Sequence, residues 1–212
     1  MQARRLSREL ALLSMSQLPS QPQNLETKTI EDMVLAAVRA LQEEVKEMLT
    51  TAGAELTRGQ EKLLASELRT PDLESARALV QAAIDLTATA INRVGVALDF
   101  PELIQVSRQA DTREYAVLLL QTVHQHRSEL DDILNACLEG WQMHRLAQID
   151  QALLRIATAE MRYLDIPPQV AINEAVELAK RYSTEDGFRF INGVLRGVAN
   201  LIKKQQEMNM SF

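Results

Sequence analysis

Three arginines stand close together at the start of the chain. Arg4, Arg5 and Arg8 lie in residues 3–18, where Leu6, Leu10 and Leu13 recur at helical spacing. At about 100° per residue the arginines fall roughly opposite the leucines and form a small cationic face. Such a face can hold phosphate, and it can equally be an ordinary solvated helix surface. A second basic stripe lies near the other end of the chain. There Arg189, Asn192, Arg196, Asn200 and Lys203 stand opposite Ile191, Val194, Leu195, Val198 and Ile202, which gives a helix one basic, amide-bearing face.

Bond-making chemistry finds no comparable support. His124 and His126 are two residues apart, so on a helix they point to different sides and cannot share a metal as an i,i+4 pair can. Cys137 is the only cysteine, which excludes an internal disulfide and a cysteine-based zinc site; it lies on an apolar stripe and reads as a small core residue. There is no HExxH, no P-loop and no strand-plus-glycine dinucleotide fingerprint. Gly193 and Gly197 form a GxxxG beside Arg196, best read as close helix packing. These residues indicate a protein that is not an enzyme and needs no cofactor or metal.

The elements that must position the basic faces are helices throughout. Of 212 residues only 4% are aromatic, with 7 Gly and 6 Pro, so the core is built from Leu, Ile, Val, Ala and Met in an all-α fold. The net charge of −6 argues against a generally basic nucleic-acid binder, and any such contact has to use a local patch. Residues 31–110 carry 8 basic and 13 acidic groups and are the most acidic part. The apolar runs are interrupted by Asp85 and Arg93, so no membrane span is expected. The lone cysteine and the short Leu10–Leu13 run fit a reducing, cytoplasmic setting without a signal peptide.

Pro19 to Asn24 reads as a linker. Ile30, Val34, Val38, Leu41, Val45 and Met48 then make one helical stripe, which Gly53 and Gly59 are expected to weaken or end. Thr70-Pro71-Asp72 is a break with a helix-start signal. After it Leu73, Ala76, Val80, Ala83, Thr87, Ala90, Val94 and Ala97 hold a 3–4 spacing until Asp99-Phe100-Pro101, as in a helix bundle or a coiled-coil seam. Ser128 with Asp131 looks like a capping pair. Arg155 sits between Leu154 and Ile156, where a buried guanidinium requires a carboxylate partner, so it is expected to tie helices together. Pro167 and Pro168 open a further helix, and Ser183 to Asp186 supply the start of the last one.

Several ordered motifs now line up. Trp141…Arg145-Leu146…Asp150…Leu153-Leu154-Arg155-Ile156-Ala157…Glu160-Met161 is followed by Val170-Ala171-Ile172-Asn173-Glu174-Ala175-Val176-Glu177-Leu178-Ala179-Lys180. Thr184-Glu185-Asp186…Phe190-Ile191-Asn192-Gly193-Val194-Leu195 comes next. This set closely resembles the NusB family of bacterial transcription antitermination factors over about residues 111–200, and Arg4-Arg5-Leu6-Ser7-Arg8-Glu9 looks like that family's arginine-rich first helix.

The resemblance implies an all-α fold of two packed helical bundles, here with an extra long-helix insertion. It makes residues 1–212 one NusB-like domain, with 24–110 as the insertion and 111–204 as the best-matching core. It implies binding to boxA-type single-stranded RNA of ribosomal RNA leaders, together with the small-subunit ribosomal protein NusE, in an RNA polymerase antitermination complex. Carried over residue by residue, RNA contact falls to Arg4, Arg5, Arg8, Asp186 and Phe190. Phe190 lies at the margin of its helix's apolar stripe, where a ring can be half exposed and stack a base.

The chain departs from the family at two places. Met15 and Ser16 stand where the family has an aromatic, and residues 24–110 are longer than the usual connector. Those acidic helices can brace the bundle, mediate homo-oligomer formation or bind another protein. The alternative reading is a protein–protein scaffold that keeps the fold without sequence-specific RNA binding.

Overall fold

The computed structural model describes residues 2–18, 27–68, 72–98, 105, 109–138 and 140–209. The expected linker at Pro19–Asn24, the break at Thr70-Pro71 and the stop at Asp99-Phe100-Pro101 lie outside these described residues. The described chain is all-α. Its helices are α1 (Gln2–Ser14), α2 (Thr27–Leu68), α3 (Leu73–Leu98), α4 (Ala110–Gln125), α5 (Arg127–Cys137), α6 (Gln148–Tyr163), α7 (Pro168–Tyr182) and α8 (Gly187–Asn209). Short 3-10 turns follow α1 at Met15–Gln17 and precede α6 at Met143–Arg145. Among the described residues no helix is long and apolar enough to cross a membrane. The chain divides into two compact units, Met1–Ala37 with Ser107–Phe212, and Val38–Val106.

In the first unit α6 is the central helix. Every residue from Ala152 to Met161 is buried, because α1, α4, α5, α7 and α8 all pack against it. A helix covered on all sides must be apolar all round or have its polar groups fully partnered. Leu153, Leu154, Ile156 and Ala157 meet the first condition, and each buried leucine contributes about 1.5–3 kcal/mol.

Arg155 and Glu160 meet the second condition. Arg155 Nε donates to Asp131 Oδ1 at 2.7 Å and its Nη2 to Asp131 Oδ2 at 3.1 Å, so the expected tie runs from α6 to α5. This pairing also explains why Ser128 and Asp131 do not form a capping pair. α5 starts at Arg127, directly after α4, with His126 at the junction and no side-chain cap, and the Asp131 carboxylate faces α6.

Glu160 is 1% exposed. Its carboxylate accepts from Arg8 Nε at 2.9 Å and from the Tyr115 hydroxyl at 2.6 Å, and so joins α1, α4 and α6. The turn after α6 is closed by the backbone. Leu164 N and Ile166 N both donate to Glu160 O while Asp165 takes a left-handed conformation at φ 51, one of the few side chains that tolerates it. Pro167 and Pro168 then start α7, as expected.

The second unit is an antiparallel helix pair. α2 does not weaken at its glycines; it runs unbroken to Leu68. At Gly59 the missing side chain admits the neighbouring helix, since a Cβ there would lie 3.3 Å from Ala83 O. Glu55 and Arg93 join the pair through two hydrogen bonds, of 3.2 and 2.8 Å. Asp72 caps α3, accepting from Ser75 N at 2.7 Å and from the Ser75 hydroxyl at 2.9 Å, and these bonds hold its carboxyl below the usual range.

Removing one partner of a buried pair leaves a bare charge. Arg8→Ala is therefore expected to cost about 3–5 kcal/mol, and Arg155→Ala, whose partner is partly exposed, about 2–3 kcal/mol. Urea unfolding followed by circular dichroism checks both. Tyr115 adds a pH dependence. Burial, followed by its bond to Glu160, raises the Tyr115 hydroxyl above its ordinary value of 10.0. The protonated phenol is thus favoured by folding, and its contribution is complete below pH 10 and is lost as pH rises through the raised value. The melting temperature should fall less steeply above about pH 10 in Tyr115→Phe than in the parent chain.

Candidate nucleic-acid interface

The position of α1 decides which arginines reach solvent. From Leu6 to Leu12 this helix is buried on every side, packed between α4 and the α6–α7 layer. Arg8 is 4% exposed and committed to Glu160, with Glu174 Oε2 3.6 Å from its Nη1. It does not share a solvent face with Arg4 and Arg5, as the spacing had led us to expect. The leucine side of α1 is only one of its packed sides, and the buried acid of α6 draws Arg8 inward. Arg4 is exposed and lays its guanidinium over the Tyr115 ring, 3.8 Å from the centroid. Beside it runs a groove lined by Leu118, Ile166, Pro167 and Val170.

Arg5 points the other way, toward α7. Its Nη2 lies 3.8 Å from Glu177 Oε2. Lys180 Nζ donates to Glu177 Oε1 at 2.6 Å. This hydrogen bond first, and the charge of Arg5 with it, holds the Glu177 carboxyl below its ordinary range, so the acid stays ionised between two cations. Lys180 Nζ also stands 5.9 Å from the centre of the Phe188 ring, and the Arg189 guanidinium approaches the same ring at 5.5 Å. Arg189 Nη1 in turn donates to Asp186 Oδ1 at 3.0 Å. A continuous run of contacts therefore leads from Arg5 on α1, across α7, to the first turn of α8.

That first turn is fixed by local chemistry. Ser183 Oγ donates to Asp150 Oδ1 at 2.6 Å, which ties the loop to the start of α6. Gly187 opens α8 beneath the loop, where a Cβ would lie 2.1 Å from Ser183 Oγ. Phe188 and Phe190 flank the exposed Arg189 and are each partly exposed themselves. Phe190 meets Trp141 edge to face, with ring centroids 6.4 Å apart. Trp141 is 55% exposed and is positioned by its neighbours. Gly140 turns the chain at φ +73, and Met143 N donates to Asn135 Oδ1 at 3.0 Å.

The structure thus places Arg5 and Asp186 along one run, sets Phe190 against Trp141 beside it, leaves Arg4 on the adjoining groove and takes Arg8 into the core. Lys180, Phe188 and Trp141 were not singled out from the sequence as contact residues. One signal did point to Phe188: in a chain with only 4% aromatic residues, two rings at 188 and 190 flank Arg189.

Gly187→Ala tests how the first turn is held. The added methyl must push Ser183 off Asp150, with an expected loss of about 1–3 kcal/mol on urea unfolding, whereas Gly193→Ala, with nothing within 4 Å, should be neutral or stabilising.

Comparison with known proteins places the chain in a family. The NusB family model matches residues 76–200. The transcription antitermination protein NusB of Microcystis aeruginosa is 52% identical over 206 residues, which span 97% of this chain and 95% of that protein. The protein of the same name from Acaryochloris marina is 57% identical over 202 residues, 95% of this chain and 98% of its own length. A solved structure of T. maritima NusB is 27% identical, aligns with 70% of this chain and 90% of its own and has a TM-score of 0.43. The Microcystis alignment takes in nearly all of the long α2–α3 region. The chain belongs to the NusB family of transcription antitermination proteins.

Proposed function

We propose that the α1–α7–α8 face binds boxA-type single-stranded RNA of ribosomal RNA leaders. The binding would occur together with the ribosomal protein NusE, in an RNA polymerase antitermination complex of the cytoplasm. The role is non-catalytic. One observation carries this reading: the contact run in which Arg5, Lys180 and Arg189 gather around the partly exposed ring of Phe188, with the Phe190–Trp141 ring pair on the other side of Arg189. Single-stranded RNA needs cations for its phosphates and open aromatic faces for its unstacked bases, and this face offers both.

Arg4 extends the cationic edge along its groove, and Arg8 serves by anchoring α1 and not by touching the ligand. Asp186 has two effects in this reading. It orients Arg189, and it repels phosphate, which limits affinity. Residues 24–110 are an insertion into one NusB-like domain whose core is 111–204. A protein–protein scaffold without sequence-specific RNA recognition is the second reading, favoured by the acids Glu177 and Asp186 inside the face.

The test is titration of a boxA-like RNA strand, with and without NusE, followed by the emission of Trp141, the only tryptophan in the chain. Binding should quench that emission. Log affinity should fall against log salt by about 0.7 for each phosphate neutralised, and Arg5→Ala and Lys180→Ala should each reduce the slope by about that amount. Phe190→Ala should cost about 1–3 kcal/mol of binding. Asp186→Asn should bind more tightly. Absence of salt-dependent binding under both conditions overturns the RNA reading and leaves the scaffold.

A further inference from the structure

The α2–α3 pair carries its side chains in an inverted order. Where the helices meet, the buried residues apart from Glu55 are small: Ala52 and Gly59 on α2, and Ala83, Ala90 and Ala97, each seven apart, on α3. The large residues stay outside. Leu49, Leu56 and Leu63 recur every seven positions on α2, and Ile84, Ile91 and Leu98 do so on α3. All six are between 42 and 70% exposed. The two stripes border one groove, in which Leu56, Leu63, Ile84 and Ile91 rise over Gly59 and Ala83. A seven-residue repeat of large apolar side chains is the pattern of a helix-bundle seam, and a monomer seldom exposes a patch of this kind.

We propose that this face is where two copies of the chain associate, closing a four-helix bundle. Two properties of the face favour a second copy as its occupant. The first is size. α3 has 26 residues and is therefore about 39 Å long, and two packed helices are about 20 Å wide, so the face offers about 800 Å² per copy, the area of a standard stable interface.

The second is charge. The groove lining contains no charged side chain, so an apolar face is its match. At its rim the charges are self-complementary. The Gly59–Ala83 and Glu55–Arg93 contacts set the register of the pair, which brings Glu67, one heptad beyond Gln60 of the groove, level with Arg77, one heptad before Ile84. Neither is in an ion pair among the described residues. A two-fold arrangement that sets α2 of one copy against α3 of the other brings this pair together twice.

Sedimentation equilibrium of the full chain tests this directly. The expected result is a mass of about twice 23.8 kDa at micromolar concentration. Ile84→Glu combined with Ile91→Glu should give the monomer mass, with a dissociation constant raised at least about 100-fold, because the seam would then bury unpaired charge. Both positions are exposed in a single copy, so helicity by circular dichroism should be unchanged. A parent chain that stays monomeric up to about 100 µM overturns the proposal and assigns the face to a different partner. A dimer that persists in the doubly substituted chain overturns it by placing the contact elsewhere.

Discussion

A carboxyl group with 1% exposure must find donors to replace the water it has lost. Glu160 has that requirement, and Arg8 and Tyr115 satisfy it from two other helices. The consequence reaches well beyond the core. Once Arg8 is drawn against α6, the rotation of α1 about its own axis is set. Arg4 must then fall over Tyr115 and Arg5 must fall beside Glu177. Glu9, 4% exposed, bonds Arg181 and Tyr182 and fixes the same helix to the far end of α7. The solvent-facing cations are thus positioned by buried ones, and the arginine-rich helix separates into an anchoring half and a presenting half.

Apolar spacing made most of the fold legible before folding was considered. Ile191, Val194, Leu195, Val198 and Ile202 line one face of α8 and all are buried. Arg155 between Leu154 and Ile156 required a carboxylate, and Asp131 supplies it. The failures have a common cause. Periodicity reports that a helix has a wet and a dry side, but not that a second and third neighbour cover the wet side as well. Arg8 on α1 was misjudged for that reason. Gly59 misled in a related way. A glycine weakens an isolated helix, yet here it admits the backbone of α3, a gain that only a partner helix can reveal. Lys180 meets Phe188, and Trp141 meets Phe190, only through tertiary packing, so no local window could unite them.

Electrostatics on the candidate face is balanced and not simply basic. Three cations, Arg5, Lys180 and Arg189, are interleaved with two acids, Glu177 and Asp186. The acids hold long side chains in defined places, which lowers the ordering cost of any ligand contact, and they also moderate attraction to polyanions in general. A chain with a net charge of −6 can in this way offer a selective cationic surface.

The Arg8–Glu160 bond joins residues 152 positions apart. During synthesis at about 5–20 residues per second, α1 leaves the ribosome some 8–30 s before the acid that will neutralise it. For that interval its arginines have no buried partner, next to a ribosome whose surface is rich in phosphate. The same separation means that α1 cannot complete its docking until α6 has been made. Truncation anywhere before Glu160 would leave a cationic, half-apolar helix with nowhere to fold.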